Sequence, residues 1–100
     1  MARPQVLTGE ARKTALAGLK DTGWTHEAEG DRIRKTFRFK DFSAAFGWMT
    51  RAALKAESLD HHPDWSNSYN KVEVSLTTHE PEGLTELDVE LAKAMDAFAG

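Results

Sequence analysis

Residues 32–59 read RIRKTFRFKDFSAAFGWMTRAALKAESL, and within this stretch the hydrophobic period changes once. From Arg32 to Phe39 the residues alternate, with Ile33, Phe37 and Phe39 on one side and Arg34, Thr36 and Arg38 on the other. A period of two belongs to a strand. Lys35 interrupts the apolar side, so this strand is expected to be partly exposed. From Phe42 the spacing lengthens: Phe42, Ala45, Phe46, Met49 and Ala53 form a wide stripe at helical spacing, the strongest periodicity in the chain. Asp41 stands where an N-cap is needed. The reading is a strand followed by a helix over 42–59, which Pro63 ends by pushing His62 out of the helical region.

Downstream, NKVEVSLTTH (70–79) sets Val72, Val74 and Leu76 against Lys71, Glu73, Ser75 and Thr77, a half-buried strand. DWSNSYN (64–70) offers a short partner strand or an irregular edge. A last helix starts at Thr85, its N-cap, with Asp88 three residues on as a capping-box variant and Leu84 and Val89 as a hydrophobic staple. Leu91, Met95 and Phe98 supply its buried stripe. Upstream, a first helix follows Thr8 to about Lys20, with Ala11, Ala15 and Leu19 in a narrow stripe that Gly23 ends. WTHEAE (24–29) reads as a strand joined to the next around Gly30 and Asp31. The order α-β-β-α-β-β-α predicts an α+β fold, a small four-stranded antiparallel sheet with three helices packed on one face. Val72, Val74, Leu76 and Phe37 are expected to cover the helix stripes. The other sheet face is less apolar and is either solvated or set against another subunit.

The chain has 100 residues, a length for a single domain spanning 1–100. With a net charge of −3 it has no global positive field to favour nucleic acid. It lacks cysteine, which excludes disulfides, thiolate nucleophiles and Cys-type zinc sites. MARPQVLTGEARKTALAGLK (1–20) has no apolar core of a signal peptide, and no run is long enough to span a bilayer. A soluble, cytoplasmic protein without membrane partners is expected.

Three of the four histidines fall in LDHHPDWSNSYNKVEVSLTTHE (59–80). Imidazoles with a nearby carboxylate could hold zinc, but His61 and His62 are adjacent and diverge, and the helical i, i+4 ligand pair is absent. No metal is expected. Singly, a histidine at a helix C-terminus is explained by the helix dipole. His26, alone in a strand, is read as ordinary. Together the three say more. Strand parity places His79 on the polar side, His61 and His62 stand where a helix ends, Glu57 lies one turn earlier, and Trp65 follows. Imidazoles, carboxylates and an aromatic wall in one cleft would suit proton transfer on a polar substrate.

The block KDFSAAFGWMTRAALKAESLDHHPDWSNSYNKVEVSLTTHE (40–80) and the closing GLTELDVELAKAMDAFA (83–99) resemble the pterin-4a-carbinolamine dehydratases. The signature is D-H-H-P-x-W, then Y-N-K-V, then T-H. The resemblance implies dehydration of 4a-hydroxytetrahydropterin to quinonoid dihydropterin and water. That step recycles the tetrahydrobiopterin of aromatic amino acid hydroxylases, which links the chain to a phenylalanine hydroxylase. It implies a pterin as substrate, with no metal and no redox cofactor. His61, His62 and His79 match the family's active-site histidines, which share the acid and base roles. Glu57, Asp60, Pro63, Trp65, Thr78 and Asp88 match site-lining positions, with Asp88 equally readable as a helix cap. Some members carry arginine where this chain has Leu87. The family forms dimers and dimers of dimers, so a homo-oligomer is expected. Its animal members also act as dimerisation cofactors of a transcription factor, so a non-catalytic binding module on the same fold is the alternative.

Overall fold

The computed structural model describes residues 3–100. The elements in chain order are α1 (Gly9–Asp21), β1 (Thr25–Glu27), β2 (Arg32–Arg38), α2 (Phe42–Leu59), β3 (Asp64–Ser68), β4 (Lys71–Leu76), β5 (Thr78–His79), β6 (Glu82–Gly83) and α3 (Glu86–Ala99). The hairpins β1–β2 and β3–β4 join through an antiparallel β2–β4 pair, so the sheet runs β1-β2-β4-β3. Helix α2 carries the chain from β2 past β4 to the far edge. The expected α+β order is present. A small β5–β6 hairpin is added between β4 and α3.

Register decides what faces the helices. Ile33 pairs with Leu76, Lys35 with Val74 and Phe37 with Val72, which puts these side chains in one row. All but Lys35 are buried, together with Trp48, Leu91 and Met95 from the helices. The Phe37 ring lies 4.4 Å from that of Trp48, whose indole Nε1 donates to the Met95 carbonyl at 2.9 Å. Lys35 is half-buried, so the strand is partly exposed there. Its ammonium lies 4.7 Å from the Phe37 ring centroid and donates to Asp96 Oδ1 at 2.7 Å and to the Thr22 carbonyl. The aliphatic stem can then cover the edge of the core while the charge is paired.

The helices depart from their sequence stripes. In α2 the buried face is Ala45, Trp48, Ala52 and Ala56, whereas Phe42 and Phe46 are 48% and 55% exposed and Ala53 lies outside. The physical reason is distance: three alanines let the helix backbone approach its neighbours, and one tryptophan fills the gap they leave. Side-chain hydrophobicity alone points to the phenylalanine side, but close packing selects the small residues. In α1, Leu19 is buried and Ala11 exposed, and Thr8 holds the N-cap position without a side-chain cap bond. In α3, Asp88, Leu91, Ala92 and Met95 are buried and Phe98 sits at the rim.

Candidate active site

The end of α2 places the first two histidines. The chain leaves the helix at Asp60, which is left-handed at φ 50° and ψ 43°. Asp60 N–H donates to the Glu57 carbonyl and His61 N–H to the Ala56 carbonyl, both at 3.1 Å. This pair of bonds is a Schellman termination. The helix therefore stops at Asp60 by its own backbone geometry, ahead of the restriction that Pro63 imposes. The reversal turns His61 inward and leaves His62 outside.

The start of α3 supplies the partner of His61. Thr85 caps the helix, and Asp88 returns Oδ2 to the Thr85 N–H at 2.9 Å, completing a capping box. The same Oδ2 accepts from Thr78 Oγ1 at 2.8 Å, and Thr78 and Thr85 share a hydroxyl bond of 2.9 Å. Asp88 Oδ1 faces His61 Nε2 at 2.5 Å. The carboxylate is fully buried and His61 is 8% exposed. The cap, one of the two accounts that sequence left open for Asp88, is formed through Oδ2, and the other oxygen holds His61.

This arrangement selects a tautomer. Where the carboxylate is ionised it only accepts, so the ring nitrogen that faces it, Nε2, is the donor, and a neutral ring then keeps its lone pair on Nδ1. Nδ1 bonds to none of the described residues, and no buried side-chain nitrogen or oxygen among them lacks a partner. Nδ1 is therefore not fully sealed from solvent, although the residue as a whole is buried.

The other candidates are less tightly gathered. His62 Nε2 meets Glu57 Oε1 at 2.8 Å, an exposed pair one helical turn deep. Asp60 is exposed and Pro63 half-buried. Trp65 lies in β3 opposite Val74, half-buried and packed against the core, its ring 6.2 Å from that of Trp48. His79 differs from its parity assignment. The main-sheet strand ends at Leu76, and Thr77 Oγ1 donates to the carbonyl of Asp31 at 2.9 Å, so the alternation does not continue. His79 sits instead on β5, exposed and opposite Glu82, with no hydrogen bond to His61 or His62 among the described residues. Its tie to them is through Thr78, its neighbour, which bonds Asp88. Thr85 belongs to the same network and was legible in sequence only as a cap. No group of three or more His, Cys, Asp and Glu among the described residues is placed to hold a metal ion.

The domain is thus α+β, with a buried His61–Asp88 pair between two helix termini and His79 on the short hairpin whose Thr78 bonds Asp88. A family profile described as pterin 4 alpha carbinolamine dehydratase matches residues 5–98. A protein of Bradyrhizobium diazoefficiens provisionally named pterin-4-alpha-carbinolamine dehydratase is 60% identical over 93 residues, covering 93% of this chain and 91% of its own. One of Jannaschia sp. with the same provisional name is 55% identical, covering 93% and 95%. The crystal structure of a transcriptional coactivator/pterin dehydratase from Brucella melitensis superposes with a TM-score of 0.87 at 49% identity, covering 96% of this chain and all of that one. A pterin dehydratase-like RuBisCO assembly factor of the alpha-carboxysome shares the fold, with a TM-score of 0.67 at 20% identity over 78% of this chain and 90% of its own. The chain belongs to the pterin-4-alpha-carbinolamine dehydratase family, and the dehydratase names of its relatives place it among the hydro-lyases.

Proposed function

We propose that this chain, acting as one domain over residues 1–100, dehydrates 4a-hydroxytetrahydropterin to quinonoid dihydropterin in the cytoplasm. The observation that carries the reading is the His61–Asp88 pair. The reaction protonates the 4a hydroxyl, which leaves as water, and removes a proton from a ring nitrogen. A proton taken up at His61 Nδ1 turns the ring into an imidazolium against the buried Asp88 carboxylate, which stabilises the positive charge and later allows its release. His61, His62 and His79 share the acid and base steps. Glu57 orients His62. Asp60, Pro63, Trp65 and Thr78 border the pterin, with Trp65 as an aromatic wall. Loss of the hydroxyl with a proton is redox-neutral, so the step needs no redox cofactor, and histidine acid and base groups can carry its proton transfers.

The substrate would come from an aromatic amino acid hydroxylase such as a phenylalanine hydroxylase, which the dehydratase serves by recycling tetrahydrobiopterin. Association of copies is supported by the outer face of α2, where Phe42, Phe46 and Leu54 stand exposed and the Phe42 and Phe46 rings lie 5.7 Å apart. Contiguous exposed apolar surface of this kind is a mark of an interaction site. We assign it to a second copy of the chain.

The test is water loss from freshly generated 4a-carbinolamine, followed by absorbance with wild type, His62→Ala and His79→Ala. The wild type should accelerate the reaction well above the buffer rate and keep doing so after exhaustive chelation. A wild-type rate equal to buffer would leave only the non-catalytic binding module. Unchanged rates in both variants would remove the proposed histidine roles while sparing the activity.

A further inference from the structure

The turn between β1 and β2 lies far in sequence from the histidines, yet it holds both ends of the segment that carries one of them. Asp31 is left-handed at φ 45°, which aims its carboxylate at the β6–α3 junction. Asp31 Oδ2 accepts from Leu84 N–H at 2.9 Å, just after the β5–β6 hairpin. At the other end Thr77 Oγ1 donates to the Asp31 carbonyl at 2.9 Å, just before the hairpin. The residues between them, 78–83, include Thr78 and His79.

The carboxylate is itself held from three directions. Arg12 of α1 donates from its two terminal nitrogens, to Oδ1 at 2.6 Å and to Oδ2 at 3.1 Å. His26 Nε2 lies 2.8 Å from Oδ1. Arg12 also donates to the Leu7 carbonyl at 3.3 Å, and Leu7 N–H donates to the Leu84 carbonyl at 2.8 Å, so Leu84 is pinned through both its backbone groups. Gly83 shows how close the approach is: a Cβ there would come within 2.9 Å of Asp31 Oδ2 and 3.4 Å of Val6, at a φ of 129° that favours glycine.

We infer that Asp31 is a positioning residue of the active site, a clamp that fixes the β5–β6 hairpin and so sets where His79 stands relative to the His61–Asp88 pair. His79 is tied only through its backbone pairing with Glu82, its side chain making no hydrogen bond to the described residues. Its location comes from the hairpin backbone, and the clamp and the Thr78–Asp88 bond hold that backbone. A rigid support for a group on a short hairpin is worth rate, because small misplacements of a proton-transfer group slow the reaction steeply. The catalytic part of this inference rests on the proposed dehydratase reading; the clamp itself does not.

The variant is Asp31→Asn, since asparagine tolerates the left-handed backbone, with Asp31→Gly as a second variant that accepts the same φ and removes the side chain. Each is made in the wild-type and His79→Ala backgrounds. Asp31→Asn should lower kcat/KM roughly three- to tenfold when His79 is present and by less than about twofold when it is absent, because a residue acting through another shows that coupling in a double-mutant cycle. Amide hydrogen exchange on the same proteins should rise about tenfold or more at Leu84 and in residues 78–83, with β2 and β4 unchanged. Equal rate losses in both backgrounds, or faster exchange spread across the sheet, would overturn the inference in favour of a general stabilising ion pair. Should the wild type fail to dehydrate the carbinolamine, the functional reading falls, and the exchange pattern alone decides whether Asp31 clamps the hairpin.

Discussion

His61 and Asp88 lie 27 residues apart and meet at 2.5 Å, imidazole Nε2 against carboxylate Oδ1. The contact joins the last turn of α2 to the first turn of α3, so the geometry of two helix ends is also the geometry of the proposed proton acceptor. Asp88 has no exposure, and its second oxygen is occupied by the Thr85 N–H and the Thr78 hydroxyl.

Asp88→Asn should therefore fail twice. One amide oxygen cannot serve all three donors, and the amide nitrogen adds a donor where an acceptor is needed. Stability should fall by about 1–3 kcal/mol from the unsatisfied buried groups. The dehydration rate should fall on the order of 10²-fold, the usual worth of a positioned acid or base. Thr85→Val, which removes the capping hydroxyl but leaves the carboxylate, should lose about 1 kcal/mol and much less rate. Thermal unfolding and carbinolamine kinetics on both variants check this.

His62 and Glu57 form the exposed counterpart of that pair. Exposed ion pairs contribute at most about 1 kcal/mol, so Glu57→Gln should barely change the melting temperature. If Glu57 orients His62, kcat should still drop severalfold, and the drop should vanish in the His62→Ala background. Steady-state kinetics of the four proteins is the measurement.

The outer face of α2 makes a separate prediction. Phe46 is outside the core, so Phe46→Glu should leave the far-ultraviolet circular dichroism unchanged. On size-exclusion chromatography with light scattering it should give a smaller species than the wild type, if the proposed self-association uses this face. An unchanged mass would move the interface elsewhere on the surface.

Asp31 gives a pH prediction. The Arg12 hydrogen bonds hold its carboxyl well below the usual carboxylate range, against the opposing effect of burial and with help from Leu84 N–H and His26. A carboxyl depressed on folding contributes stability that is complete above its unfolded pKa, about 3.9, and is lost as pH falls through the lower folded value. The stability gap between wild type and Asp31→Asn should thus persist down to about pH 5 and shrink progressively below about pH 4. Denaturant titrations across that range test the sign.

Local signals were the legible ones. The alternation of Val72, Val74 and Leu76, the Asp41 cap and the Thr85–Asp88 capping box each depend on neighbours a few residues away, and each stands in the structure where the residues put it. Which side of α2 is buried was not legible in the same way. Phe42 and Phe46 are more hydrophobic than Ala45, Ala52 and Ala56, but a helix packs at the distance its smallest facing residues allow, and that distance is a property of the assembled layers. The end of β4 was hidden for a similar reason. Alternation continues through Thr77 in the sequence, and only the bond from Thr77 to the Asp31 turn, 46 residues away, shows that the chain departs there to form the hairpin of His79.

The amino-acid sequence by itself determined the order of the three helices and the four strands of the main sheet, the caps that start α2 and α3, and the residue types capable of proton transfer. Local backbone preferences and side-chain periodicity are enough for those. Tertiary structure alone decided that Asp88 closes its capping box and holds His61 with the same carboxylate, that His79 stands on a separate hairpin, and that Asp31 pins both ends of it. Those outcomes depend on groups far apart in the chain arriving within hydrogen-bond distance, which no local pattern encodes.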